Sequence, residues 1–175
     1  MVRSLGIVGS RSLPASFAPL ISSLVSALVA RGFHIASGGA IGADQYALSA
    51  LVEQGSSASG VVYSAWVSAS GFPSSVQPFI PRFIASGGQV VWGSGSPSQP
   101  RSAVVSALLG RNQRLVSACS VLIAFVHGQS RGTLYTIRQA VRRSIPVYVF
   151  LCGGGASLPP DLAGHCLVIN KREVV

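Results

Sequence analysis

Short runs of almost unbroken hydrophobicity recur along this chain, and each is followed by a segment of helical periodicity. Residues 5–8, 33–36, 61–65, 89–92, 121–126 and 147–151 read as strands, with 165–169 as a further edge strand. Helices are expected over 15–30, 43–53, 76–85, 102–118 and 134–143. A strand exposed on one face alternates apolar and polar residues; these runs do not, so both faces must be covered. Helices between successive strands supply the crossovers that a parallel sheet requires. The reading is therefore a Rossmann-like, doubly wound α/β fold, with a mainly parallel sheet and helices on both faces. Glycine, serine and proline dominate 93–100 and 153–160, which read as the loops freest to move.

Three glycine-bearing turns follow these strands: Gly9-Ser10-Arg11, the stretch from Ser37 through Gly38, Gly39, Gly42 and Asp44, and Ser130-Arg131-Gly132-Thr133. In a parallel sheet all three lie at the carboxyl edge, where such folds bind ligands. Glycine admits tight turns and close backbone approach, and a helix start presents unpaired N–H groups and partial positive charge. An anion, above all a phosphate, is the ligand those properties suit. Arg11 stands one residue past a strand, placed to grip a phosphate or simply to sit in solvent. Gly38, Gly39 and Gly42 would let amides wrap the anion, or merely form a tight turn. Gly39→Val is accordingly expected to abolish ligand binding and leave the fold largely intact. Asp44 either caps free amides in a first helical turn or meets a ribose or base. Thr133 can set its hydroxyl beside the Gly132 N–H. Arg111 and Arg114, one helical turn apart with Asn112 between them, either hold a nucleic-acid backbone or form a solvated helix end. Tyr46, Tyr63, Trp66 and Trp92 are candidate stacking platforms or core residues. The glycine spacing is not GxGxxG and no acid follows the second strand, which disfavours a dinucleotide dehydrogenase.

Thirteen basic residues, twelve of them arginine, face only Asp44, Glu53, Asp161 and Glu173, for a net charge of +9. Such an excess favours polyanions, and guanidinium forks onto phosphate; a genomic bias toward arginine is the alternative. The chain is 49% hydrophobic, yet its longest apolar runs, such as 121–126 and 147–152, are far too short to span a bilayer. Without a signal-peptide pattern it reads as cytoplasmic. Cys119, Cys152 and Cys166 form no CxxC, and His34, His127 and His165 lack ligand spacing. The cysteines read as buried thiols rather than a disulfide framework, and no metal site or cofactor is expected. At 175 residues the chain is read as one domain.

Ile7-Val8-Gly9-Ser10-Arg11 and the stretch 37–44 resemble the opening of the DNA-processing protein A family (DprA/Smf). Gly110-Arg111-Asn112-Gln113-Arg114-Leu115 is similar to that family's Arg-Asn-Arg helix start, and 121–126 with Arg131-Gly132-Thr133-Leu134 to its next strand and turn. The likeness runs over about 4–151, leaving 152–175 as a C-terminal edge extension, and places the chain in the DprA/LOG superfamily of Rossmann-like domains. It implies a phosphate-lined pocket, single-stranded DNA binding, a homodimer or higher oligomer, and a recombinase as a partner. The chain departs from the pattern with Ile41 in place of arginine, Ala43 in place of isoleucine, and Gln45-Tyr46-Ala47 in place of Ala-His. The extra terminal domains of many full-length members have no room in 175 residues, so the core alone is expected. LOG-type hydrolases carry glutamate just after Gly-Thr-Leu; here Tyr135 and Thr136 follow Leu134. No histidine is placed beside a nucleophile with a supporting acid. The residues fit a single-stranded DNA binder, with a small-nucleotide sensor or nucleoside monophosphate hydrolase as the alternative. A structural protein with a buried dimer face stands behind both.

Overall fold

The computed structural model describes residues 4–170. Strands β1 (Ser4–Gly9), β2 (His34–Ser37), β3 (Gly60–Tyr63), β4 (Gln89–Val91), β5 (Val121–Val126), β6 (Val147–Leu151) and β7 (Leu167–Ile169) form one sheet in the order β4-β3-β2-β1-β5-β6-β7. All six neighbouring pairs are parallel. The chain winds outward from β1 to β4, then returns to the centre and winds the other way from β5. Between β1 and β5 the crossovers diverge, opening a crevice at the carboxyl edge.

Helices α1 (Ala18–Ala30), α2 (Ala43–Glu53) and α3 (Phe79–Ala85) cover one face; α4 (Arg101–Ala118), α5 (Arg131–Arg142) and α6 (Pro160–Ala163) cover the other. Side chains alternate between the two layers as a pleated strand demands. Ile7, Ile35, Ile123 and Phe125 pack beneath α1–α3, and Val8, Ala36, Leu122 and Ala124 beneath α4–α6. Phe125 and Phe150 stack with centroids 4.6 Å apart. In α5 the buried residues Thr133, Thr136, Ile137 and Ala140 fall at helical spacing. In α4 only Arg111, Leu115 and Val116 are buried; its first ten residues are exposed or half-buried.

Several boundaries differ from the sequence reading for local reasons. The helix expected at 76–85 begins at Phe79, because Pro73 and Pro78 shape the preceding stretch into turns closed by Val76 N–H on the Pro73 carbonyl (2.8 Å). The strand expected at 61–65 ends at Tyr63, and α5 starts at Arg131 rather than 134. The first turn of α5 is polar and carries a glycine, which hides it from a hydrophobic pattern. The one-turn α6 was not expected. Cys119 and Cys152 are buried thiols, Cys166 is half-buried, and there is no disulfide among the described residues. Among those residues no helix is long and apolar enough to cross a membrane.

Candidate functional site

A cavity of about 490 Å³ lies at the carboxyl edge, beyond the ends of β1 and β5 where their crossovers diverge. Gly9, Arg11 and Ser12 enter it from the end of β1, Ala40 and Asp44 from the turn after β2, and Ser130 to Thr133 from the start of α5. Arg111, Asn112, Val105 and Leu108 of α4 close it from above. The three turns thus meet at one place, with Arg11, Arg111 and Arg131 around the space.

Much of the turn chemistry goes into holding the chain rather than facing the cavity. Ser10 is buried: its N–H donates to the Phe125 carbonyl (2.9 Å), and its Oγ accepts from the His127 N–H (2.8 Å). It fastens the β1 turn onto β5. Gly42, at φ 90°, caps α2, and a Cβ there would stand 2.2 Å from the Ser10 carbonyl oxygen. Gly39, at φ 67°, leaves no room either: a Cβ would meet the Phe72 ring at 2.4 Å. Gly39→Val would therefore disturb packing and backbone together, so the expectation that it spares the fold does not hold. Ser37 Oγ is buried without a hydrogen-bond partner, and neither Ser37 nor Gly42 lines the cavity.

Gly38 is glycine because two charged side chains close on it. A Cβ would lie 2.3 Å from Arg111 Nη1 and 2.8 Å from Asp44 Oδ2. The Gly38 N–H donates to Asp44 Oδ2 (2.8 Å), and Arg111 Nη1 donates to the Gly38 carbonyl. One glycine thus ties α2 to α4 through both of its peptide groups. Burial pushes the Asp44 carboxyl above its ordinary range, opposed by Arg111 and by backbone amides of Gly38, Ala40 and Gly9. Burial likewise lowers Arg111, and Asp44 opposes that shift. Each charge needs the other to remain in this low-dielectric position. Arg111 Nε also donates to Asn112 Oδ1 (2.7 Å), which fixes its plane.

Arg11, Arg131 and Gly132 are exposed, whereas Thr133 is buried with its Oγ1 2.7 Å from Ser130 Oγ. Arg11 and Arg111 also border a smaller chamber of about 250 Å³ beneath α4, with Gly38, Gly39, Trp66 and Pro73 in its wall. Arg114 lies elsewhere. Its guanidinium donates to the Trp92 carbonyl (3.1 Å) and the Ser64 carbonyl (2.5 Å), on the far flank of α4. Tyr46 packs against the core with its hydroxyl on the Leu13 carbonyl (3.2 Å). The sequence reading missed one pair altogether: Ser12 Oγ lies 3.0 Å from His127 Nδ1 across 115 residues. No local motif could have shown it. The far edge of that imidazole lies against Gly154 rather than a carboxylate.

Strands wound both ways from a central pair, with a basic cavity where they part, make this a Rossmann-like α/β protein. Within that class the chain belongs to the DNA recombination-mediator protein A family, whose family model matches residues 1–164. The fold is similar to that of DNA processing protein A from Helicobacter pylori, described with its single-stranded DNA binding mode: TM-score 0.76 at 20% identity, over 98% of this chain and 77% of that one. DNA processing protein A from Streptococcus pneumoniae matches with TM-score 0.70 at 18% identity, over 99% of this chain and 60% of that one. A molybdenum cofactor binding protein from Rippkaea orientalis matches with TM-score 0.65 at 13% identity, over 99% and 93%. At these identities the likeness is one of fold. No curated protein matches the chain.

Proposed function

We propose that this protein binds single-stranded DNA by its sugar–phosphate backbone, with a phosphate in the cavity beyond the carboxyl ends of β1 and β5. The observation that carries the reading is the meeting of Gly9, Arg11, Asp44 and the Gly132-bearing first turn of α5 around one space, with Arg111 and Asn112 above it. Amides at a helix start and guanidinium groups stabilise a phosphate without reading a base. Family membership and the single-stranded DNA binding described for the Helicobacter pylori protein supply the polymer. The net charge of +9 suits it. The carboxylate on the cavity wall, Asp44, is already committed to the Gly38 amide, which argues for a binder over a hydrolase.

A small nucleotide is the second reading, favoured by the 250 Å³ chamber beside the cavity, with Trp66 and Pro73 in its wall. We take the chain as one cytoplasmic domain, with residues 152–170, β7 among them, as its edge extension; 171–175, also assigned to that extension, lie outside the described residues. The proposal includes a homo-oligomer, for which Leu167 (60% exposed) and Val168 (44%) offer apolar surface at that edge. A recombinase partner rests on the family alone. Fluorescence anisotropy with a labelled oligonucleotide tests the central claim. Arg11→Ala, at an exposed position, is expected to weaken binding roughly ten- to hundredfold with an unchanged melting temperature. Equal affinity of variant and wild type would remove the phosphate from this cavity. Mononucleotides that bind as tightly as a strand would favour the second reading.

A further inference from the structure

Helix α4 divides the basic cavity from an open groove of about 650 Å³ on its other flank. One wall is the helix face carrying Ala103, Ser106, Ala107 and Gly110; the other is the segment after β4, from Trp92 to Gln99. That segment is drawn in so tightly that its glycines cannot be replaced. A Cβ on Gly93 would lie 2.5 Å from the Ala65 carbonyl oxygen, and one on Gly95 would lie 2.7 Å from Ala107 Cβ. The segment thus meets the helix where Gly95 faces Ala107, and both walls of the groove carry little side-chain bulk. Trp92 is among the residues lining this groove and is 39% exposed; its ring meets Phe72 edge-on at 6.2 Å between centroids. An aromatic side chain left partly open to water is the kind of surface that a flat ring covers.

The charge of the groove has one sign. Arg111 and Arg114 line it and no acidic residue does. The acceptors that position Arg114, the carbonyls of Ser64 and Trp92, are neutral and leave its positive charge uncompensated. An aromatic side chain and the Arg114 guanidinium, with Arg111 held by Asp44 and Gly38, suit one chemistry, a nucleotide unit of any sequence. Arg111 borders the first cavity as well, so the two spaces are separated by no more than one helix, about 10 Å across.

We propose that this groove is a second subsite for the same strand: the base of a neighbouring nucleotide lies on Trp92 while its phosphate passes Arg114. The inference rests on the reading of the first cavity as a site for single-stranded DNA. It assigns Arg114 to the strand through a different place from the one expected of it.

The test compares an oligothymidylate of about ten nucleotides, within the span of such sites, with an abasic strand of equal length. The full chain is titrated as wild type, Arg11→Ala, Trp92→Ala, Trp92→Phe and Ser106→Glu. Trp92→Ala is expected to weaken the thymidine strand roughly 5- to 150-fold, and Trp92→Phe to restore most of that loss. The abasic strand should be indifferent to Trp92→Ala. Ser106 is exposed on the groove wall, so Ser106→Glu should weaken both strands without unfolding the helix. If Trp92→Ala binds thymidine as wild type does while Arg11→Ala does not, the groove is no subsite and the first reading stands. Loss by Trp92→Ala on both strands alike would make Trp92 a loop support and likewise overturn the inference. If neither variant changes the binding, or the wild type binds no strand, the underlying reading falls with it.

Discussion

Arg111 illustrates how little a residue's neighbours in sequence say about its task. Beside Asn112 and near Arg114 on a polar stretch of helix, it looks like a solvated contact to nucleic acid. Folded, it is buried and grips the Gly38 carbonyl, 73 residues away, opposite Asp44. Arg111→Met is expected to cost about 3–5 kcal/mol near neutral pH, because the Asp44 carboxylate would be left buried without its partner. The pH dependence follows from the direction of the Asp44 shift. Burial raises that carboxyl in the folded protein, and removal of Arg111 raises it further. A folded-state value above the unfolded one adds stability that is complete below the unfolded value and disappears as pH rises through the folded one. The deficit of Arg111→Met against wild type should therefore shrink as pH falls from about 7 to about 4. Thermal unfolding at both pH values measures it; a constant deficit would mean that Asp44 does not take up the proton.

At the scale of elements, the start of α5 separates stability from binding. Gly132 lies in the first helical turn, faces open space, and borders the cavity. Gly132→Asp is expected to hold or raise the melting temperature, since aspartate near a helix N-terminus contributes about 0.3–1 kcal/mol and glycine is a poor helix former. The same charge should repel a phosphate and lower strand affinity in an anisotropy titration. Opposite movements of the two readouts mark a ligand site; a fall in both would mark a structural one. The sequence showed α5 by its Ile137 and Ala140 face but placed its start at 134, because Arg131, Gly132 and Thr133 carry no apolar signal. The place of α4 was equally hidden. Its periodicity announces a helix, while only the packing shows that it becomes a partition between two spaces.

For the whole molecule the governing quantity is charge. Three arginines line the proposed phosphate cavity and one more lies beyond α4. Each phosphate neutralised on a single strand contributes about −0.7 to the slope of log affinity against log salt. Arg11→Ala should flatten that slope by about 0.7, measured by oligonucleotide titrations from about 50 to 200 mM salt. An unaltered slope would show that Arg11 neutralises no phosphate.

Hydrophobic patterning alone determined the layers: runs apolar on both faces have nowhere to go but the middle of a parallel sheet, and the glycine turns after them must then share an edge. It also disclosed the family through short motifs in fixed order. Which strands flank the crevice depends on how the crossovers wind, and that is decided when the helices pack. So too were the orientations within each motif. Ser10 turned inward to β5, Arg114 turned to the carbonyls just past β3 and β4, and Ser12 came to His127, because those contacts join residues tens of positions apart and no local spacing encodes them.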